Sequence, residues 1–407
     1  MVEKKHIIIV SVYFPPIISV ASNRILAFAK YLDASKYNIT VVCLQSANLK
    51  NEITLPGVKI IYVPNKQFIQ RAGFSKKYPF IIHKLRAAWN TLLNSFGFND
   101  NLSWEKNVFQ IIGRTISIPE NTVIISSYPT SSPTIVAAKI KQKYPALKWI
   151  ADLRDGVSNN SSKTSFWNQQ QKKQLEEIII NNADAITSVS APILDFLKSN
   201  NSNKDIITHE IRNGFDFESG NNGNFNKIFT ISYVGNFYGN RNPGIFYKAL
   251  EKIIDKGLMI HFKVDFIGVG GAVSIPHTLK NLIHIKDKVP YHEAIEMMRN
   301  SDALLLVLPK GENKGVFSGK IFDYLGVMRT VIPLIDSDDV AAQLIRETAA
   351  GKVAEWDSVD DAIASILYAY HLWEKKELPP YNQEQIKALH RKFQVEKLGV
   401  IIDNLWT

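Results

Sequence analysis

Apolar runs of strand length alternate with stretches whose apolar residues recur at helical spacing through nearly the whole chain of 407 residues. That alternation marks an α/β protein whose parallel sheets are covered by helices on both faces. In the first half the pattern predicts strands at Ile7 to Tyr13, Ile39 to Leu44, Lys59 to Val63, Val123 to Ser126, Lys148 to Asp152 and Ala185 to Val189. Arg24 to Leu32 reads as a helix after the polar Ser22 and Asn23. Pro133 to Lys143 reads as a helix opened by proline, which a first turn tolerates. Between Asn200 and Asn226 the pattern dissolves into Asn, Ser and Gly, apart from a short strand Ile206 to Ile211, so a domain boundary is expected there. A second set follows: strands Thr230 to Gly235, His261 to Gly268, Leu282 to Ile285, Ala303 to Leu308, Val331 to Leu334 and Val353 to Glu355. Helices Pro243 to Lys256, Tyr291 to Arg299, Ser318 to Val327, Val340 to Ala349 and Val359 to Trp373 lie between and after them. Asn382 to Trp406, set off by Pro379 and Pro380, reads as helical. The expected division is an N-terminal Rossmann-like domain at 1–219, a second at 220–381, and a helical segment at 382–407.

Composition narrows the setting. No stretch approaches the roughly 18 to 20 uninterrupted apolar residues of a spanning helix. Ile7 to Val12 is broken too promptly by Pro15 and Pro16 to be a signal peptide, so a cytoplasmic protein is expected. Cys43 is the only cysteine, which excludes disulfides and cysteine-rich metal sites within the chain. A formal charge of +10 attracts polyanions in general. Nucleic-acid binding has only that charge behind it, with no recognised module, and is discounted. Between Glu52 and Asp100 there is no acidic residue, while Lys66, Arg71, Lys76, Lys77, Lys84 and Arg86 are interleaved with Phe68, Phe74, Tyr78, Phe80 and Trp89. A surface for anionic lipid head groups and a solvated insert with inward-packed aromatics fit this stretch about equally.

In open parallel sheets, ligands bind beyond the carboxyl ends of the strands, and five such places carry unusual residues. Phe14 to Arg24 leads into a helix whose free NH groups can hold an anion or sugar hydroxyls, but it lacks the glycines of a dinucleotide fingerprint. Ser126 to Ser132 is a hydroxyl-rich strand exit, suited to sugar hydroxyls or to turn chemistry. Asp152, Arg154 and Asp155 put two carboxylates and a guanidinium at a strand end; they form either a polar active site or an ion pair that holds the loop. Gly235, Asn236 and Arg241 follow the first strand of the second domain. There the glycine admits a ligand close to the backbone and the arginine precedes a helix amino terminus, the outline of a phosphate site or of a plain glycine turn. Ser318, Lys320 and Asp323 start a helix after a glycine-containing loop, with a cation for diphosphate and a carboxylate for ribose or sugar hydroxyls, or else a surface pair, one turn apart.

Taken in order, Tyr13-Phe14-Pro15-Pro16, Ala151-Asp152-Leu153-Arg154-Asp155, Ile211-Arg212-Asn213-Gly214-Phe215-Asp216, Tyr233 to Arg241, Val289 to Ala294, and Ser318 to Leu325 resemble glycosyltransferase family 4 across essentially the whole chain. The resemblance implies a GT-B fold, two Rossmann-like domains facing each other across a cleft with a C-terminal helix packing back toward the first. It also implies a retaining, sugar-nucleotide-dependent glycosyltransferase with no cofactor and no obligatory metal. On that model Gly235, Asn236, Arg241, Ser318 and Lys320 hold the donor diphosphate, Asp323 meets its ribose, and Asp152, Arg154 and Asp155 serve the acceptor side or reacting centre. The acceptor is then a saccharide or a lipid-linked one, with Lys66 to Trp89 docking the enzyme at an anionic inner membrane face. The chain departs from the family pattern in carrying Phe246 where a second lysine is usual and Gly315 where the first of two motif glutamates is usual. A sugar-nucleotide 2-epimerase and a non-catalytic binding protein are the competing readings.

Overall fold

The computed structural model describes residues 4–45, 53–65, 102–115, 119–159, 166–200, 206–237, 241–270, 273–311 and 315–406. The basic aromatic stretch Lys66 to Trp89 lies outside them. The chain forms two compact units, one of Met1–Arg212 with Val395–Thr407, the other of Asn213–Gln394.

The first unit holds a seven-stranded parallel sheet: β1 (Lys5–Ser11), β2 (Tyr37–Leu44), β3 (Val58–Val63), β4 (Thr122–Tyr128), β5 (Lys148–Leu153), β6 (Ala185–Ser188) and β7 (Thr208–Glu210), in the order 3-2-1-4-5-6-7. Its strands are apolar at consecutive positions, as strands buried on both faces must be. Ile7 and Ile9 enter one core layer with Ile39, Val41, Val123, Ile125 and Ile150, while Ile8 and Val10 enter the other with Val42, Ile124, Trp149 and Ala151. Helix α1 (Val20–Tyr31), capped where the Ser19 hydroxyl accepts from the Ser22 NH, brings Ile25 and Phe28 to the first layer. Helices α2 (Leu102–Thr115), α3 (Ser131–Lys143), α4 (Phe166–Asn182) and α5 (Ala191–Ser199) complete this half.

The second unit repeats the plan with six parallel strands, β8 (Phe229–Val234), β9 (Phe262–Ile267), β10 (Ile283–Lys286), β11 (Ala303–Leu308), β12 (Thr330–Ile335) and β13 (Ala354–Glu355), ordered 10-9-8-11-12-13. Helices α6 (Gly244–Asp255), α7 (Tyr291–Arg299), α8 (Gly319–Val327), α9 (Val340–Thr348), α10 (Val359–Lys375) and α11 (Gln383–Ala388) accompany it. The strand order reverses between β1 and β4 in one sheet and between β8 and β11 in the other, the switch points beside which such sheets take ligands.

The units divide at Arg212 and Asn213, ahead of the 219/220 expected from composition, because Phe215 is fully buried in the second core and pairs with His390 in an isolated parallel bridge. The C-terminal segment is also not one body. Helix α12 (Arg391–Asn404) begins in the second unit, and its residues from Val395 onward belong to the first, where Val395, Leu398, Ile401, Ile402 and Leu405 pack with Ile7 and Ile9. Tyr37 fastens it by donating to Asp403 at 2.8 Å, and the Trp406 indole donates to the Glu120 carbonyl at 2.9 Å. Among the described residues no helix is long and apolar enough to cross a membrane.

Candidate functional site

In the first unit Asp152 is not at the strand exit expected of it. It lies inside β5 on the face that carries Ile150, because side chains alternate along a strand, and that face looks onto α1. There Arg24 donates to it from Nε at 2.9 Å and from Nη2 at 2.6 Å, and from Nη1 to the Ile211 carbonyl at 2.8 Å. Its register neighbours on the flanking strands, Ser127 and Thr187, add hydroxyl donors at 3.3 and 2.8 Å. Arg24 is 3% exposed and Asp152 is sealed. Of the two ion pairs open to this run, Arg154 with Asp152 or with Asp155, the first gives way: Asp152 takes Arg24, from a helix more than a hundred residues away in sequence.

Arg154 follows the strand instead, donating to the Pro129 carbonyl at 2.9 Å with its guanidinium 5.7 Å from the centre of the Tyr13 ring. Its Nε is buried without a hydrogen-bond partner. Asp155 stands next to it, half-buried; burial pushes its carboxyl above the usual carboxylate range and Arg154 pulls the other way. Arg154 and Asp155 thus remain together at the carboxyl edge of the sheet, while Asp152 is withdrawn below it.

In the second unit the groups at the switch point converge more closely. β8 ends in Gly235, whose φ of +98° is one that side-chain-bearing residues rarely adopt, and a Cβ built there would stand 3.0 Å from Lys320 Cε and 3.2 Å from its Nζ. Lys320, in the first turn of α8, reaches across to this glycine. Its ammonium donates to the Tyr233 hydroxyl at 2.6 Å and to the Asn236 carbonyl at 3.4 Å, and lies 3.8 Å from the centre of the Tyr233 ring. Burial, reinforced by the positive charge of Arg241, brings its pKa down to about 7. With its amide turned to donate, Asn236 reaches the carbonyls of Gly268 at 2.7 Å and Val269 at 3.2 Å, which ties the β8 exit to the β9 exit. Ser318 occupies the cap position of α8 with its side chain making no cap bond, and Gly315 is held by a bond from its NH to Asp339 at 3.1 Å.

Asp323 does not pair with Lys320, although the two are a helical turn apart. Lys320 runs to β8, whereas Asp323 accepts from the Tyr291 hydroxyl at 2.7 Å, at the start of α7. Burial raises its carboxyl to about 6, against the opposing hydrogen bond from Tyr291 and the charge of Arg391. Reading from sequence missed Tyr233 and Tyr291 as partners. Tyr233 looks like one more alternating core residue of a strand, and Tyr291 like a first-turn residue of an amphipathic helix.

Paired parallel three-layer units, each with the 3-2-1-4-5 strand order and with the C-terminal helix returning to the first, define the GT-B architecture. Solved structures carry the same fold. The lipopolysaccharide outer core galactosyltransferase WaaB in its apo form matches with a TM-score of 0.59 at 12% identity, over 98% of this chain and 99% of that one. S. aureus TarM, solved with fondaparinux, α-GlcNAc-glycerol and UDP, matches with a TM-score of 0.52 at 13% identity over 75% of this chain, which spans 59% of TarM. A putative UDP-N-acetylglucosamine 2-epimerase from Listeria monocytogenes matches at 0.52 and 9% identity, over 99% and 97% of the two chains. Identities this low establish the fold alone. No protein-family model and no curated protein sequence matches the chain.

Proposed function

We propose that this chain is a retaining glycosyltransferase of the family 4 type, moving a sugar from a nucleoside diphosphate donor to an acceptor hydroxyl. One observation carries the reading: the half-buried Lys320 stands against Gly235 at the switch point of the second sheet, within reach of the charge of Arg241. Burial and, behind it, the charge of Arg241 are why Lys320 holds its proton weakly. A diphosphate between the two cations reverses the sign of the local interaction, worth about 4 kcal/mol per charge pair at 4 Å in an effective dielectric of about 20. When the bond from the anomeric carbon to the β-phosphate oxygen breaks, charge grows on the leaving diphosphate, where the two cations already stand. Gly235 and Asn236 admit the ligand to the backbone, and Ser318 offers the α8 amino terminus. Asp323 keeps one carboxylate oxygen for ribose while the other receives Tyr291.

Acceptor binding is assigned to the first unit through Arg154 and Asp155, with Asp152 acting by fixing Arg24. The likenesses to WaaB and TarM support a sugar nucleotide as donor, and TarM's complex makes UDP the first nucleotide to test. The acceptor is taken to be a saccharide or lipid-linked sugar at the inner face of a membrane, reached by a cytoplasmic enzyme that needs neither a cofactor nor a metal. The likeness to the Listeria protein keeps 2-epimerisation as the second reading.

The test is a thermal-shift screen of the protein with UDP, GDP, ADP, CMP and their sugar conjugates, repeated on Arg241→Ala. Saturation at a hundred times Kd stabilises by about 2.7 kcal/mol, an easily measured shift. A nucleotide that shifts the wild type and not the variant supports the donor site. Silence with every nucleoside diphosphate refutes it, and conversion of a free sugar nucleotide without any acceptor moves the assignment to the epimerase.

A further inference from the structure

The Lys320 ammonium rests on a platform that nothing in its own helix supplies. Tyr233 is almost fully buried, and its ring stacks flat on Phe237, with centroids 3.9 Å apart and planes 6° from parallel. On the other side the same ring carries the ammonium at 3.8 Å from its centre, while its hydroxyl accepts from Nζ at 2.6 Å and donates to the Asn236 carbonyl at 3.1 Å. Phe266 meets the edges of both rings at 6.1 and 5.5 Å, so neither can swing aside. Tyr233 is thus a fixed object, and Lys320 is a flexible one held against it.

We propose that Tyr233 is a positioning residue for the donor diphosphate: its hydroxyl and ring hold the Lys320 ammonium beside Gly235, with a donor hydrogen left for phosphate. The inference rests on the diphosphate reading above. An ammonium has three N–H donors. Here the protein acceptors are both neutral, the Tyr233 hydroxyl and the Asn236 carbonyl, so they orient the charge without cancelling it. The charged group acting on Lys320 is Arg241, and the nearest carboxylate on its own helix, Asp323, is turned to Tyr291. A lysine offered to solvent would have to be ordered by its ligand, at a cost in rotamer freedom on each binding event. The stacked pair removes that cost in advance and offsets part of the burial that disfavours the charged form, through the hydrogen bond and the ring face.

Tyr233→Phe tests this, because it keeps the ring, the stack and the core packing and removes only the hydroxyl. Two readings are taken. The first is the titration of the Lys320 ε-ammonium in the ligand-free protein by NMR of 13Cε-labelled lysine, assigned by the signal lost in Lys320→Gln. The second is the calorimetric affinity for UDP, GDP and ADP from pH 6 to 9. Loss of the acceptor should move the Lys320 midpoint to lower pH, shift the affinity profile toward acid, and weaken nucleotide binding about tenfold at pH 7.5, the scale of a hydrogen bond to a charged group. An unchanged midpoint and profile in a variant that binds nucleotide like the wild type overturns the inference and leaves the diphosphate reading standing, even if the melting temperature falls. If the wild type binds none of the three at any pH, the diphosphate reading is refuted and this role for Tyr233 goes with it.

Discussion

Asp152→Asn should unfold the first unit far more easily than its near-identical shape suggests. The substitution removes the charge that two nitrogens of Arg24 contact at 2.9 and 2.6 Å, at a guanidinium that is 3% exposed. An asparagine also accepts on one atom only, and both carboxylate oxygens take a bond from Arg24, so its NH2 must face an Arg24 donor in either orientation, Nη2 beside the Thr187 hydroxyl or Nε beside that of Ser127. Breaking a buried pair from one side costs roughly 3–5 kcal/mol, a large part of the roughly 5–15 kcal/mol that holds a domain folded. With a urea m-value of about 3 kcal/mol/M, the midpoint should fall by roughly 1 to 2 M. The fluorescence of Trp104 and Trp149, both fully buried in this unit, follows the transition. Replacing both partners, as Arg24→Leu with Asp152→Leu, should recover most of the loss, since two apolar side chains leave no orphaned charge. An Asp152→Asn midpoint within about 0.3 M of the wild type would refute the reasoning. A double variant that folds but is inactive with an otherwise competent donor would show that the Arg24–Asp152 pair serves activity as well as folding.

Gly235→Ala should cost roughly 1–3 kcal/mol for its backbone conformation and weaken nucleoside diphosphate binding further by displacing Lys320. Gly257→Ala, at φ +59° with nothing within 4 Å of the new methyl, is the control that should strain the backbone and leave binding unchanged. Nucleoside diphosphate affinity should be highest below pH 7 and fall as pH rises above it, with proton uptake on binding near neutrality, seen by calorimetry in buffers of different ionisation enthalpy. The same Lys320 shift, from 10.5 when unfolded to about 7 when folded, means that the unfolded chain binds more protons between those values. Its contribution to the stability of the ligand-free protein therefore improves as pH rises from 7 toward 10. Gly214→Ala should destabilise the second unit by about 1–3 kcal/mol or more, read from its denaturation midpoint, since its Cβ would stand 2.0 Å from the Leu389 carbonyl oxygen, which belongs to backbone and cannot rotate away.

Strands whose apolar runs are bounded by turn residues were legible: Ala303–Leu308 has the expected ends, and Lys148–Leu153 and Ala185–Ser188 differ from expectation by one residue. At Asp152, expected as the last strand residue, what the sequence did not show was the partner: strand alternation turns its side chain onto the face of α1, where Arg24 waits. Helices Leu102–Thr115, Phe166–Asn182 and Ala191–Ser199 were not anticipated. The second of them runs through Asn168 to Gln174, polar at every position, and has little apolar periodicity to read. At the candidate donor site the glycine, the arginine and the helix-start lysine were visible as residue types at strand exits. Their partners were not, since the contacts of Lys320 with Tyr233 and of Asp323 with Tyr291 join residues 87 and 32 apart in the chain and have no local signature.

The last helix has a consequence for how the protein is made. The ribosome delivers Asn213 to Gln394 in full before Val395 to Leu405 emerge, so the second unit can close while the first still lacks five apolar side chains of its core. The domain begun first is the one finished last, and during that interval the layer around Ile7, Ile9 and Phe28 lies open to water or to a chaperone. A frameshift or early stop near codon 395 would therefore injure the domain encoded at the opposite end of the message and spare the one encoded beside it.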